Sequence, residues 1–408
     1  MRSIVLFALA LGAAATAAAQ PAAPPLVWPA APEAPRIRFV GTLQSETDLG
    51  KKESFFGRLK RSLAGTGKAA NYRVSRPFDV YTVDGERVHF TDGTTQGVVL
   101  FDRKTRAVKR LGQDVPGGRG RPRGMGGDGT GRVYVADPGT ARVVVLSATG
   151  TFERAFGGRD HLYNPVDVAV DTGSGRVYVA DAYLHQIVVF DQGGGVIGRI
   201  GKQVRTVAER RTRLAPTQPH GAAGPAPGGS VERDSTIVSE HSSAGIGSSE
   251  PRDLWQNRGG EAGEFRYPSS LAVGPDGTLF VVDQMNFRIQ AFDRAGGFVR
   301  QIGKLGDVPG ALARPKGVAV DSEGHVYVSD AAFNNVQVFN PDGQLLLAFG
   351  GLGHQDGQHW MPLGIGTDRN DRIYVVDRYN NRASVYQYLR AAPAAGEGPG
   401  SGAASERR

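Results

Sequence analysis

Short apolar runs recur along this chain, and their order is the same each time. A proline opens an apolar strand, a glycine turn follows, and a valine-rich strand ends in aspartate. Pro165-Val166-Asp167-Val168-Ala169-Val170-Asp171 leads into Arg176-Val177-Tyr178-Val179-Ala180-Asp181. Ile187-Val188-Val189-Phe190-Asp191 forms a third run, and Gly195 to Gly201 a fourth. Equivalent units open at Pro77, Pro122, Pro268, Pro315 and Pro362. Four short strands repeated every 40–45 residues or so predict the blades of a β-propeller. Runs such as Val133-Tyr134-Val135 and Val326-Tyr327-Val328 are apolar without alternation. Both faces of such strands must be covered, as they are when blades stack.

The last unit, Pro362 to Leu389, supplies only three strands. An isolated strand near the start, Arg36-Ile37-Arg38-Phe39-Val40-Gly41-Thr42-Leu43, has the character of a fourth strand. The expected architecture is therefore all-β: six four-stranded blades, the last completed by the N-terminal strand. Closure of this kind removes an exposed sheet edge.

The predicted organisation is a leader over 1–19, a Pro/Ala-rich spacer over 20–35 and a propeller over 36–390. A disordered tail covers 391–408. Insertions at 44–76 and 202–263 break the spacing. In the first, Phe55, Phe56, Leu59 and Leu63 share one side of a helix. Packing on the propeller is the expectation for 53–63, ahead of plugging the channel or lying on a membrane surface. The second insertion is rich in Gly, Pro, Ser and Arg and is expected to be disordered. Connections from strand four to the next strand one, and from two to three, share one face, here called the top. Both insertions fall there, and loops on a rigid scaffold often carry function.

Composition narrows the chemistry. The 408 residues include no cysteine, so disulfides, zinc–thiolate sites and thiol nucleophiles are excluded. The formal charge is +8, with basic clusters at Lys51 to Arg76, Arg103 to Arg123 and Lys202 to Arg213. Arg2, the apolar run Ile4 to Leu11 and Ala17-Ala18-Ala19 predict a cleaved secretory signal. A periplasmic or secreted location follows as an expectation, and it argues against nucleic acid as the partner of the basic clusters.

Val-Tyr-Val-Ala-Asp followed by an Arg/Gln-x-x-Val-Phe strand resembles the NHL repeat. The best copies are Leu279 to Phe292 and Ile373 to Arg382. The resemblance extends over residues 36–390 and implies a six-bladed propeller of the secreted bacterial type. Such propellers host binding modules and enzymes alike.

Candidate sites divide accordingly. Asp92, Asp137, Asp181, Asp283, Asp330 and Asp377 each end a second strand, and a structural role in their own turns is expected over a cation-binding ring. Asp181-Ala182-Tyr183-Leu184-His185 resembles a segment of the peptide-amidating lyases, which would make Tyr183 catalytic with His185 nearby. Those lyases place zinc-binding histidines directly after the blade proline; here the position holds Phe78, Arg123, Val166, Ser269, Lys316 and Leu363. His161, His185, His354 and His359 are read as scattered top-loop histidines, and no metal or other cofactor is expected. The leading expectation is a non-catalytic binding or assembly module. Its basic top face, with Arg119, Arg121, Arg210, Arg211 and Trp360, would meet a protein or other anionic ligand. The alternative is a propeller lyase or lactone hydrolase with a site around the central channel.

Overall fold

A computed structural model describes residues 24–50, 72–117, 120–201 and 258–390. Six antiparallel sheets form a closed ring of blades. Blades 1 to 5 run from Pro77 to Leu111, Met125 to Gly157, Pro165 to Ile200, Pro268 to Ile302 and Pro315 to Gly350. Blade 6 combines Pro362–Thr367, Arg372–Asp377 and Arg382–Tyr388 with the N-terminal strand Ile37–Leu43. Ile37 pairs with Tyr388 and Leu43 with Ala383, so chain start and chain end share one blade. The first strands of successive blades touch around the axis, and that of blade 6 touches that of blade 1.

Apolar clusters fill all six seams between neighbouring blades. This placement explains the unbroken apolar runs. Val133–Asp137, Leu279–Asp283 and Val326–Asp330 are buried at every position, because each sheet is covered on both faces. Outer strands such as Val196–Ile200 are partly exposed. The turn between strands two and three ends in a left-handed residue in every blade: Gln96, Ala141, His185, Phe287, Asn334 and Asn381, with φ between 49° and 55°. Asparagine tolerates this conformation best; the other residues are held there by the turn around them.

Two features depart from the sequence reading. Val27–Trp28, within the expected spacer, adds a fifth strand to blade 6. The Trp28 ring lies 5.8 Å from Tyr386 and 6.0 Å from Phe349, which gives the strand an apolar anchor. The first strand of blade 2 is regular only over Met125–Gly127, not from Pro122. The Arg123 and Gly124 amides still bond Ala136 and Val166, across two different blades. The leader at 1–19, the helix at 53–63, the bulk of the second insertion, the tail, and Arg119, Arg210 and Arg211 lie outside the described residues. No helix among the described residues is long and apolar enough to cross a membrane.

Candidate functional site at the channel mouth

The six aspartates that end second strands act as latches for the incoming loops. Asp181 accepts hydrogen bonds from the Tyr163 and Asn164 amides at 2.6 and 2.9 Å, and from the Tyr183 and Leu184 amides in its own turn. Asp92 accepts from the Ser75, Thr94 and Thr95 amides and from the Tyr72 hydroxyl. Asp137, Asp283, Asp330 and Asp377 accept from the Arg121, Arg266, Ala313 and Trp360 amides. Arg288 and Arg382 add ion pairs to Asp283 and Asp377 at 2.8 and 3.1 Å. Carboxylates so engaged hold the top loops in place.

The histidines are not uniformly solvent-exposed. His185 is buried, occupies the left-handed turn position, and its Nδ1 accepts the Tyr267 amide at 3.0 Å. That geometry gives its ring a structural task, holding the backbone before the fourth blade's proline. His359 is also buried, 2.9 Å from the Tyr386 hydroxyl. His161 and His354 are exposed. Among the described residues, no group of three or more His, Asp or Glu is arranged to hold a metal ion.

Tyr183 stands at the top of the axis with its ring 6.0 Å from Tyr163 and 6.4 Å from Tyr267. Facing these phenols is Arg123, directly after the second blade's proline. Its guanidinium lies 4.2 Å from the Phe78 ring centroid, and Arg378 lies 4.3 Å from the same ring. Both guanidinium groups are drawn to the negative face of the same ring. Surrounding protein lowers the Arg123 pKa, while Tyr267 and Tyr183 act in the opposite sense. Arg123 is nonetheless solvent-accessible. Among the described residues its guanidinium makes no hydrogen bond or ion pair. Lys316, at the equivalent position of blade 5, places its amine 3.4 Å from Gln284 Oε1.

Below this rim the inner strands close in. At the second position after the blade proline stand Asp79, Gly124, Asp167, Ser270, Gly317 and Gly364. Asp79 accepts the Met125 amide at 2.7 Å, Asp167 accepts the Leu271 amide at 2.8 Å, and Ser270 Oγ accepts the Val318 amide at 3.3 Å. Each side chain thus bridges to the next blade. Glycine is required beside the two carboxylates. A Cβ on Gly364 would collide with the Asp79 carboxylate and lie 2.6 Å from Asp79 Cα, and one on Gly124 would collide with Asp167 and lie 2.6 Å from Val166 O. Burial pushes Asp79 up to about 7. Asp167 is also raised, by burial and then by the Asp79 charge. The raised pKa values lessen the negative charge these groups place beneath the mouth, and Asp79 gains its charge as the pH rises through about 7.

Of the residues singled out from the sequence, Tyr183 lies at the mouth, Arg121 and Trp360 are exposed on the top, and His185 is buried beside Tyr267. Phe78 and Lys316 entered the sequence reading only as positions lacking histidine, and Arg123 as that and as the end of a basic cluster; their shared place after the blade proline was the available signal. Elsewhere a cleft between blades 1 and 2, walled by Val98, Leu111, Val135 and Leu146, offers an apolar recess.

Comparisons with known proteins agree with this architecture. The family model described as the SMP-30/Gluconolactonase/LRE-like region matches residues 262–349, and the NHL repeat model matches residues 162–190. No curated protein matches the chain by sequence. A gluconolactonase structure from Xanthomonas campestris aligns with TM-score 0.50 and 14% identity over 91% of this chain and 99% of that one. A catalytically inactive virginiamycin B lyase from Staphylococcus aureus aligns with TM-score 0.47 and 12% identity over 79% and 85%. Likeness at this identity is one of fold.

Proposed function

We propose that this chain, an NHL-type six-bladed propeller, binds an anionic group at the top mouth of its channel. Arg123 and Arg378 would hold the charge, with Tyr183 and Tyr267 opposite. One observation carries the reading: the Arg123 guanidinium is crowded enough by protein to lower its pKa, yet has no acidic partner among the described residues. A cation left in such a place is relieved by a ligand that brings the missing charge. Carboxylates, sulfonates and phosphates match the planar donor set of arginine. The leader-like residues 1–19 add an extracytoplasmic location to the proposal, testable by whether the mature protein begins at Gln20.

The test is calorimetric titration of the full-length protein with benzoate and with inorganic phosphate at low and high salt. Saturable binding that weakens at least tenfold in the Arg123→Gln, Arg378→Gln double variant supports the site. Equal affinity in the double variant, or no saturable binding of either anion, overturns it.

A catalytic version has one observation in its favour. Asp79 follows Phe78 in the chain and titrates near neutrality, where a carboxyl can serve as general acid or base. A lyase or lactone hydrolase working at this mouth would lose turnover in Asp79→Asn while retaining benzoate. Lactone or ester turnover unaffected by that change removes the version.

A further inference from the structure

A line of exposed aromatic and aliphatic side chains leads outward from the cationic mouth. Next to Arg378 in the chain is Tyr379, whose ring lies 5.4 Å from Trp360. Trp360 in turn lies 4.9 Å from His354. Tyr379 and Trp360 are both 43% exposed, although aromatic rings of this size usually bury most of their area. The same loop carries Leu352, 66% exposed, and the matching loop of the neighbouring blade carries Leu305, 63% exposed. These two loops are built alike, each closed by a short parallel bridge, Leu305 to Leu312 and Leu352 to His359. In both, the second leucine or its histidine counterpart is buried, while the first points outward without cover. An apolar track on a rigid, repeated loop frame marks an interaction surface.

We propose that the mouth and this track together bind the C-terminal end of a partner polypeptide whose last residues are apolar. The terminal α-carboxylate would meet Arg123 and Arg378. The apolar side chains before it would lie on Tyr379, Trp360 and Leu352. The proposal rests on the anion-binding reading of the mouth and adds the class of ligand.

The layout of charge and apolar surface selects a chain end, and the side-chain types select a peptide. The charge requirement is local, at the axis, and the surface leading away from it is apolar; a free terminus has that same asymmetry. Exposed leucines favour peptide side chains over sugars, since branched aliphatic groups offer nothing to hydroxyls. The ring planes also cross steeply, at 69° and 82°, so they form an irregular groove for side chains in place of a flat stacking platform.

The experiment uses the full chain and fluorescence polarisation of a labelled hexapeptide, Gly-Ser-Leu-Phe-Leu-Phe. One form has a free C-terminus and the other a C-terminal amide. The free acid is expected to bind at least tenfold more tightly. Trp360→Ala and Leu352→Ser should each weaken the acid at least threefold while leaving benzoate affinity unchanged. Equal binding of acid and amide overturns the proposal, as does peptide affinity that ignores both track variants. Tighter binding of an oligogalacturonate that is lost in Trp360→Ala would assign the track to an acidic saccharide and also overturn it. If benzoate binds and neither peptide does, the peptide proposal fails and the anion site stands. If benzoate fails as well, the mouth reading itself is wrong.

Discussion

Replacing His89 by phenylalanine should remove a specific part of the protein's acid sensitivity. His89 lies in the second strand of blade 1, where other blades carry Tyr134, Tyr178, Phe280, Tyr327 and Tyr374. It is buried, and among the described residues neither ring nitrogen makes a well-formed hydrogen bond. Burial lowers its pKa from 6.5 to about 4. Between these values the unfolded chain takes up a proton that the folded chain refuses. The stabilisation is therefore complete above pH 6.5 or so and is lost as the pH falls toward 4. The gap, at about 1.4 kcal/mol for each pH unit, amounts to about 3 kcal/mol. His359 shifts in the same direction through burial, to about 4. Asp79 and Asp167 are raised, so in the folded chain they hold protons that the unfolded chain has lost; they favour the fold as the pH falls and offset the histidines. Total stability mixes these terms, and the difference between wild type and His89→Phe separates one of them. Urea unfolding at pH 7, 6, 5 and 4 should show the variant gaining about 3 kcal/mol relative to wild type across the series. Phenylalanine already occupies this position in blade 4, so any offset from packing should be constant with pH. Curves that stay parallel within about 0.5 kcal/mol would refute the assignment of a buried imidazole held neutral in the folded chain.

Other perturbations test the ring and the mouth. Gly124→Ala drives a Cβ into the Asp167 carboxylate and to 2.6 Å from Val166 O, and should cost about 1–3 kcal/mol in urea unfolding. Gly260→Ala meets nothing within 4 Å and should stay within about 0.5 kcal/mol of wild type. Deleting residues 24–43 strips blade 6 of its outer strands and exposes the edge of Arg382–Tyr388; loss of a single cooperative thermal transition is expected. Benzoate affinity should fall as the pH rises through about 7, where Asp79 becomes charged and repels the anion. Asp79→Asn should flatten that titration.

Most of the architecture could be read from the chain because it depends on repetition. The proline, the valine-rich strand and its terminal aspartate recur, and each recurrence reports the same backbone task. The missing strand of blade 6 was legible from Pro362 to Leu389 for the same reason: a three-stranded unit in a four-stranded series leaves an edge to cover. Trp28 was not legible, since its role depends on contacts with Phe349 and Tyr386, hundreds of residues away. The mouth was hidden by a different cause. Phe78, Arg123 and Arg378 come from blades at opposite ends of the sequence, and only ring closure brings blade 6 against blade 1. Charge counting along the chain directed attention to Arg121 and the insertions because it weighs clusters in sequence. Arg123 closes one such cluster, and nothing in charge counting sets its inward position apart from its neighbours. His185 shows the converse: it stands beside a promising tyrosine in sequence, and in the fold its ring accepts the Tyr267 amide, a contact no sequence spacing foretells.

The central claim is that the mouth holds an anion between Arg123 and Arg378, and a heavy-atom ligand tests it most directly. Crystals of the full-length protein soaked in 4-bromobenzoate should show an anomalous bromine peak at the top of the axis. The carboxylate should lie within hydrogen-bond distance of the Arg123 guanidinium, near 2.8 Å or so. The peak should vanish in crystals of Arg123→Gln grown and soaked in the same way. An empty mouth at saturating ligand would contradict the account, as would a bromobenzoate bound there in both proteins.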